Sequence, residues 1–116
     1  MSMFCFQCEQ TAKGQGCTIH GVCGKKPDTA NLQDELTSSL IELANCGEKN
    51  DENTNLLIEG LFVTITNVNF DNQSIQNYID KVKNQKKCDE KFDIKTVWNC
   101  NEDIRSLKSL ILFGLK

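Results

Sequence analysis

Four of the seven cysteines in this 116-residue chain fall close together, as Cys5-x2-Cys8-x8-Cys17-x5-Cys23. Thiolates are soft, anionic ligands, and four of them on one short stretch can supply one ligand to each iron of a cubane [4Fe-4S] cluster. Gly14, Gly16, Gly21 and Gly24 are interleaved with them. Glycines suit a loop that wraps a bulky anionic object, because they accept positive φ and let backbone N–H groups approach the sulfurs. Phe4 and Phe6 flank the first thiol, either to shield a cluster from water or simply to join the core.

The same thiols admit other chemistry. Zinc also takes four thiolates, usually as two close pairs, and Cys17 and Cys23 are further apart than the common knuckle. A zinc-stabilised helical binding module therefore stays as the competing reading. Cys5-Phe6-Gln7-Cys8 has the spacing of a thioredoxin-like redox motif, but that motif needs a βαβ frame and none is visible. His20 lies between the third and fourth thiols; with four sulfurs at hand it reads as a solvated or hydrogen-bonded side chain and not as a ligand. Cys46, Cys88 and Cys100 are scattered and read as small, partly buried hydrophobes. An odd number of cysteines cannot all pair, and no basic leader with an apolar signal core precedes them. A cytoplasmic location is expected, where reduced thiols are the rule and structural disulfides are not.

A loop of this kind needs a scaffold. After Pro27, the only proline, Leu32, Leu36, Leu40, Leu43 and Ala44 recur at steps of three and four, which predicts an amphipathic helix. Asp28 or Thr29 is expected to cap its start and Gly47 to end it in a left-handed cap. A second helix is predicted over about 54–68, with Leu57, Leu61, Thr64, Ile65 and Val68 on one face. Its Val63-Thr64-Ile65-Thr66 run favours a strand locally. The longer periodicity outweighs that preference. Asp71 offers an N-cap for a third helix carrying Ile75, Tyr78, Ile79 and Val82. Residues 84–100 read as irregular. From Asp103, the pattern Ile104, Leu107, Leu110, Ile111 and Leu115 begins a further helix that resembles the first in its acidic start and apolar spacing.

The expected architecture is mainly α: an iron–sulfur cluster-binding loop over 1–27, a three-helix bundle over 28–100, and the start of a second helical unit over 101–116. Burial scaling gives a chain of this size a modest core, roughly two-thirds of its unfolded surface, so a bound cofactor would add needed stability. The net charge of −3 and pI near 5.1 argue against nucleic acid. The basic stretch Lys81–Lys87 is broken by Val82, Asn84 and Gln85 and reads as a solvated helix face where an acidic redox partner could dock. No apolar run reaches the eighteen or so residues of a membrane span, and no membrane association is expected.

The opening Met3-Phe4-Cys5-Phe6-Gln7-Cys8-Glu9-Gln10-Thr11-Ala12-Lys13, with Gly16-Cys17-Thr18 and Gly21-Val22-Cys23-Gly24-Lys25, resembles the N-terminus of the hybrid cluster proteins, also called prismane proteins or hydroxylamine reductases. Similar agreement runs through Thr29–Asp34, Gly60–Asp71 and Asn101–Leu107 and is weakest between about 72 and 100. The resemblance implies a [4Fe-4S] cluster held by Cys5, Cys8, Cys17 and Cys23 ahead of helical bundles. It also implies a second, iron–sulfur–oxygen cluster in later α/β domains, bound by His, Glu and Cys, where hydroxylamine is reduced to ammonia. On that resemblance this stretch is an N-terminal fragment with no catalytic residues of its own. Its partners are then a redox donor protein and the missing domains, and the chain alone is expected to be inactive.

Overall fold

The computed structural model describes residues 3–5, 7–8, 13, 15–66, 71–86, 92–99, 101, 103–104, 107–108 and 111, and these form a mainly helical protein. Helix α1 spans Pro27–Cys46, α2 Asp51–Thr66, α3 Asn72–Gln85, and α4 is a single turn, Lys95–Trp98. Among the described residues the only extended pairing is one antiparallel bridge in the leading loop. No helix among them is long and apolar enough to cross a membrane.

Helix α1 is the spine, packed against both α2 and α3. Its predicted stripe is largely the observed one: Leu36, Leu40 and Leu43 meet Ile75, Ile79 and Val82 of α3 in a fully buried seam. Leu32, Leu56, Leu57, Leu61, Val63 and Tyr78 close over it. Burying such side chains stabilises by about 1.5–3 kcal/mol each, and this seam is the main stabilising feature of the bundle. Ala44, by contrast, is exposed. Helix α2 approaches α1 through Gly60, where a Cβ would fall 2.8 and 2.9 Å from the Leu40 methyls.

The ends of α1 differ from expectation. Pro27 takes the first helical position, where its fixed φ fits and its missing N–H costs nothing, so the capping residue is Lys26, with no side-chain cap. Asp28 and Thr29 lie inside the first turn and reach across to α3. The Asp28 carboxylate accepts from Asn72 Nδ2 at 3.0 Å, and Thr29 Oγ1 donates to Asn72 Oδ1 at 2.6 Å. Gly47 does end the helix, but with φ −77° and ψ 160°, which is extended and not left-handed. Glycine is needed there for space, since a Cβ would sit 2.5 Å from Leu43 Cδ1 and 2.6 Å from the Leu43 carbonyl.

The strand-prone run of α2 is helical through Thr66, three- and four-residue packing having prevailed over local preference. The helix begins at Asp51, earlier than predicted, because Asn50 caps it: its Oδ1 accepts from Asn53 N–H at 2.8 Å. Thr64 is buried as expected, but Ile65 is 44% exposed, and Val68 lies outside the described residues. Asp71 caps α3 as predicted, accepting from Ser74 N–H at 3.2 Å.

The stretch expected to be irregular contains α4. Ile94 and Val97 point inward at a spacing of three, and the turn is held by Thr96 N–H to Asp93 and Val97 N–H to Ile94 carbonyls at 3.0 and 2.9 Å. Glu42 anchors this stretch from the C-terminal part of α1. Its carboxylate accepts Lys86 Nζ at 2.9 Å and Phe92 N–H at 2.7 Å. Further on, Asp103, Ile104, Leu107, Lys108 and Ile111 are helical, with Asn101 Oδ1 accepting from Ile104 N–H at 3.0 Å. Ile104, Leu107 and Ile111 are exposed, while Leu110 and Leu115 lie outside the described residues.

Candidate metal centre

Two of the four loop thiols are placed opposite one another. Cys5 N–H donates to the Cys17 carbonyl at 3.0 Å and Cys17 N–H to the Cys5 carbonyl at 2.9 Å, closing an antiparallel bridge. Met3 N–H also donates to Thr18 O at 3.2 Å, a bond outside that bridge that ties the same two stretches together. Directly opposed residues of such a pair carry their side chains on the same face, so both sulfurs leave the ribbon on one side. Gly16 makes the approach possible: its φ is +117°, and a Cβ there would sit 2.8 Å from Cε2 of the Phe4 ring. Phe4 thus covers the backbone beside Cys17. Phe6 lies outside the described residues.

Cys17 is 4% exposed and packs with Met3, Ala30 and Cys5 in a small cluster of its own, which docks the ribbon on the start of α1. The other two predicted ligands are placed differently. Cys8 and Cys23 are exposed. All four are free thiols. Cys23 sits in a tight turn closed by Gly21 N–H to Lys25 O at 2.7 Å and Gly24 N–H to Gly21 O at 2.8 Å. Gly21 is confined there, for a Cβ would meet Lys25 Cβ at 2.9 Å and Cys23 Sγ at 3.1 Å. Among the described residues no group of three or more His, Cys, Asp or Glu side chains is gathered closely enough to hold a metal ion. The fold therefore brings together Cys5 and Cys17 and leaves Cys8 and Cys23 on the rim. The donor set itself fits an iron–sulfur cluster: four unpaired thiols, two already facing the same way.

Lys25 is the site residue that the sequence reading passed over. Its ammonium donates to Cys5 Sγ at 3.6 Å, and the residue is only 6% exposed. A lysine two residues after a cysteine gives no sign in the sequence of whether it faces inward, and the turn that buries it is set by glycines. His20 is exposed, in keeping with a solvated side chain. Cys46 is disulfide-bonded, which corrects the expectation that it is merely a small hydrophobe and that structural disulfides are absent. Cys88 and Cys100 are outside the described residues. Of the Lys81–Lys87 run, Lys83 pairs with Glu35 at 3.0 Å, Lys86 with Glu42 at 2.9 Å, and Lys81 lies 5.2 Å over the Tyr78 ring. Much of that charge is therefore committed to α1 and to its own helix.

Residues 3–116 match the model of the Prismane/CO dehydrogenase family. The chain belongs to this family. As a prismane-family chain it is similar to the hydroxylamine reductase of Petrotoga mobilis, with 39% identity over 161 aligned positions that cover 100% of this chain and 30% of that protein. The hydroxylamine reductase of Methanocella arvoryzae is 54% identical over 89 positions, covering 68% of this chain and 16% of that protein. That of Clostridium perfringens is 37% identical over 155 positions, covering 100% and 28%. This prismane-family chain thus spans no more than 30% of the length of these relatives. Since 161 aligned positions exceed the 116 residues present, at least 45 positions of the Petrotoga protein have no counterpart here.

Proposed function

We propose that the leading loop holds one [4Fe-4S] cluster through Cys5, Cys8, Cys17 and Cys23, and that this stretch is the electron-transfer domain of a hydroxylamine reductase-like protein. The observation that carries the reading is the Cys5–Cys17 bridge, which presents two free thiols on one face of a ribbon docked on α1. Cys8 and Cys23, both exposed on the same loop, would supply the other two ligands. A cubane cluster supplies a reversible one-electron couple when bound. This chain's own residues then do three things. The sulfurs bind, the Phe4 ring and Met3 exclude water from one side, and the bundle fixes the loop's base.

Four thiolates leave no open coordination position, so the 116 residues by themselves do not reduce hydroxylamine. Reduction of that substrate belongs to residues outside this stretch, and the partners of the domain are a one-electron donor protein and the longer chain's further domains.

Anaerobic purification with iron and sulfide quantified per chain is the test, and four of each are expected. Zinc without sulfide would replace this reading by the zinc-stabilised module. Cys23→Ser should lower cluster content severely although Cys23 is exposed and adds little to packing, whereas His20→Ala should leave it unchanged. Equal losses in the two variants would sink the ligand assignment. With reduced methyl viologen as donor, turnover of hydroxylamine should stay at background.

A further inference from the structure

We propose that Lys25 is the fixed cation of the cluster site, a positioning residue whose ammonium binds the Cys5 sulfur and favours the reduced state. The inference rests on the cluster reading above and goes beyond it by naming a residue outside the ligand set that sets the electron affinity of the site.

An ammonium is strongly hydrated, and a lysine that is 6% exposed has lost most of that hydration. Buried charges are ordinarily compensated by an opposite charge. Neither ion pair among the described residues involves Lys25; they join Lys83 to Glu35 and Lys86 to Glu42. Its partner is the Cys5 sulfur at 3.6 Å. A neutral thiol is a weak acceptor and a poor counterion for a buried cation, whereas a thiolate within an anionic cluster is a good one. The position of Lys25 is also built into the backbone. Its carbonyl accepts from Gly21 N–H at 2.7 Å, the space over Gly21 is filled by its own Cβ, and α1 begins two residues on at Pro27. Lys26, its exposed neighbour and the capping residue of α1, has no such placement.

When a one-electron donor reduces the site, one electron enters, no bond is made or broken, and the negative charge beside Cys5 rises by one unit. A cation held within hydrogen-bonding distance offsets that added charge and raises the midpoint potential. Removing it lowers the potential.

The test measures the midpoint potential of the anaerobically purified chain by optical titration, with iron and sulfide content and helicity recorded for each variant. Lys25→Met should lower the reduced-to-oxidised ratio at the wild-type midpoint at least about tenfold, which is about 59 mV for one electron. Lys25→Gln, which keeps a donor without the charge, should move it the same way, Lys25→Arg should restore most of the shift, and Lys26→Met should do little. A fully loaded Lys25→Met chain with an unchanged potential would overturn the proposal, as would an equal shift in Lys26→Met. Should Lys25→Met and Lys25→Gln both fail to hold a cluster while Lys25→Arg holds one, the cation is required even for assembly and the proposal stands. Loss in all three with helicity intact would assign Lys25 to packing and overturn it. A wild-type chain with no iron or sulfide would instead defeat the cluster reading itself, which keeps the two failures apart.

Discussion

At Gly16 one backbone angle and one aromatic ring constrain the same atom. The φ of +117° is open to glycine alone at little strain, and the Phe4 ring fills the place of any Cβ. Gly24 shares the positive φ, +95°, but faces open space. Replacing each by alanine separates the two effects. Gly24→Ala should cost about 1 kcal/mol from the backbone alone, and Gly16→Ala clearly more, because Phe4 must also shift. Urea midpoints at unchanged m-values would measure both, and equal losses would show that Phe4 yields freely. At this scale the sequence gives the types and spacing of the four thiols but not their orientation. Four thiols on a glycine-rich stretch point to soft-metal chemistry from their types and spacing. That Cys5 and Cys17 face each other while Cys8 and Cys23 lie on the rim depends on a ribbon pairing across twelve residues, which no local pattern encodes. Lys25 was invisible for the same reason.

Among the elements, the contact of α2 with α1 is set by Gly60. In an exposed helix interior, glycine to alanine gains about 1 kcal/mol from propensity. Here the added methyl would lie under 3 Å from both Leu40 methyls inside a filled seam, so Gly60→Ala should destabilise despite that gain. Trimming the obstacle reverses the sign. In a Leu40→Ala background, itself destabilised by about 2–5 kcal/mol, Gly60→Ala should stabilise, and a double-mutant cycle by urea unfolding reads the coupling. The long helices were legible because each writes its buried face at steps of three and four, as Leu36, Leu40 and Leu43 or Ile75, Ile79 and Val82 do. Their boundaries were less so. Proline at the first position of α1 displaced the caps expected at Asp28 and Thr29, and Asn50 started α2 ahead of the apolar pattern. Helix α4 escaped notice because four residues are too few to show a period.

Across the whole molecule, Glu42 does most to join distant parts of the chain. Its pair with Lys86 is mostly buried, the two side chains being 10% and 15% exposed, and it holds Phe92 N–H as well. Glu42→Ala would break a mostly buried ion pair and take the acceptor from the Phe92 N–H, and should cost about 3 kcal/mol in urea or thermal unfolding. Glu42→Gln, which keeps an acceptor, should cost less. The exposed Lys83–Glu35 pair is the contrast: Lys83→Met should change stability by no more than about 0.5 kcal/mol. A loss at Lys83 as large as that at Glu42 would mean that the burial of the second pair is immaterial.

The reach of Glu42 also orders events in time. Its two partners lie 44 and 50 residues along the chain, so this carboxylate stays hydrated and unanswered until the hairpin of α1 and α2 and then α3 are in place. It is a latch that shuts after the door. Loss of that carboxylate should therefore loosen the segment bearing Ile94 and Val97 before the leucine and isoleucine seam, a difference that amide hydrogen exchange would record.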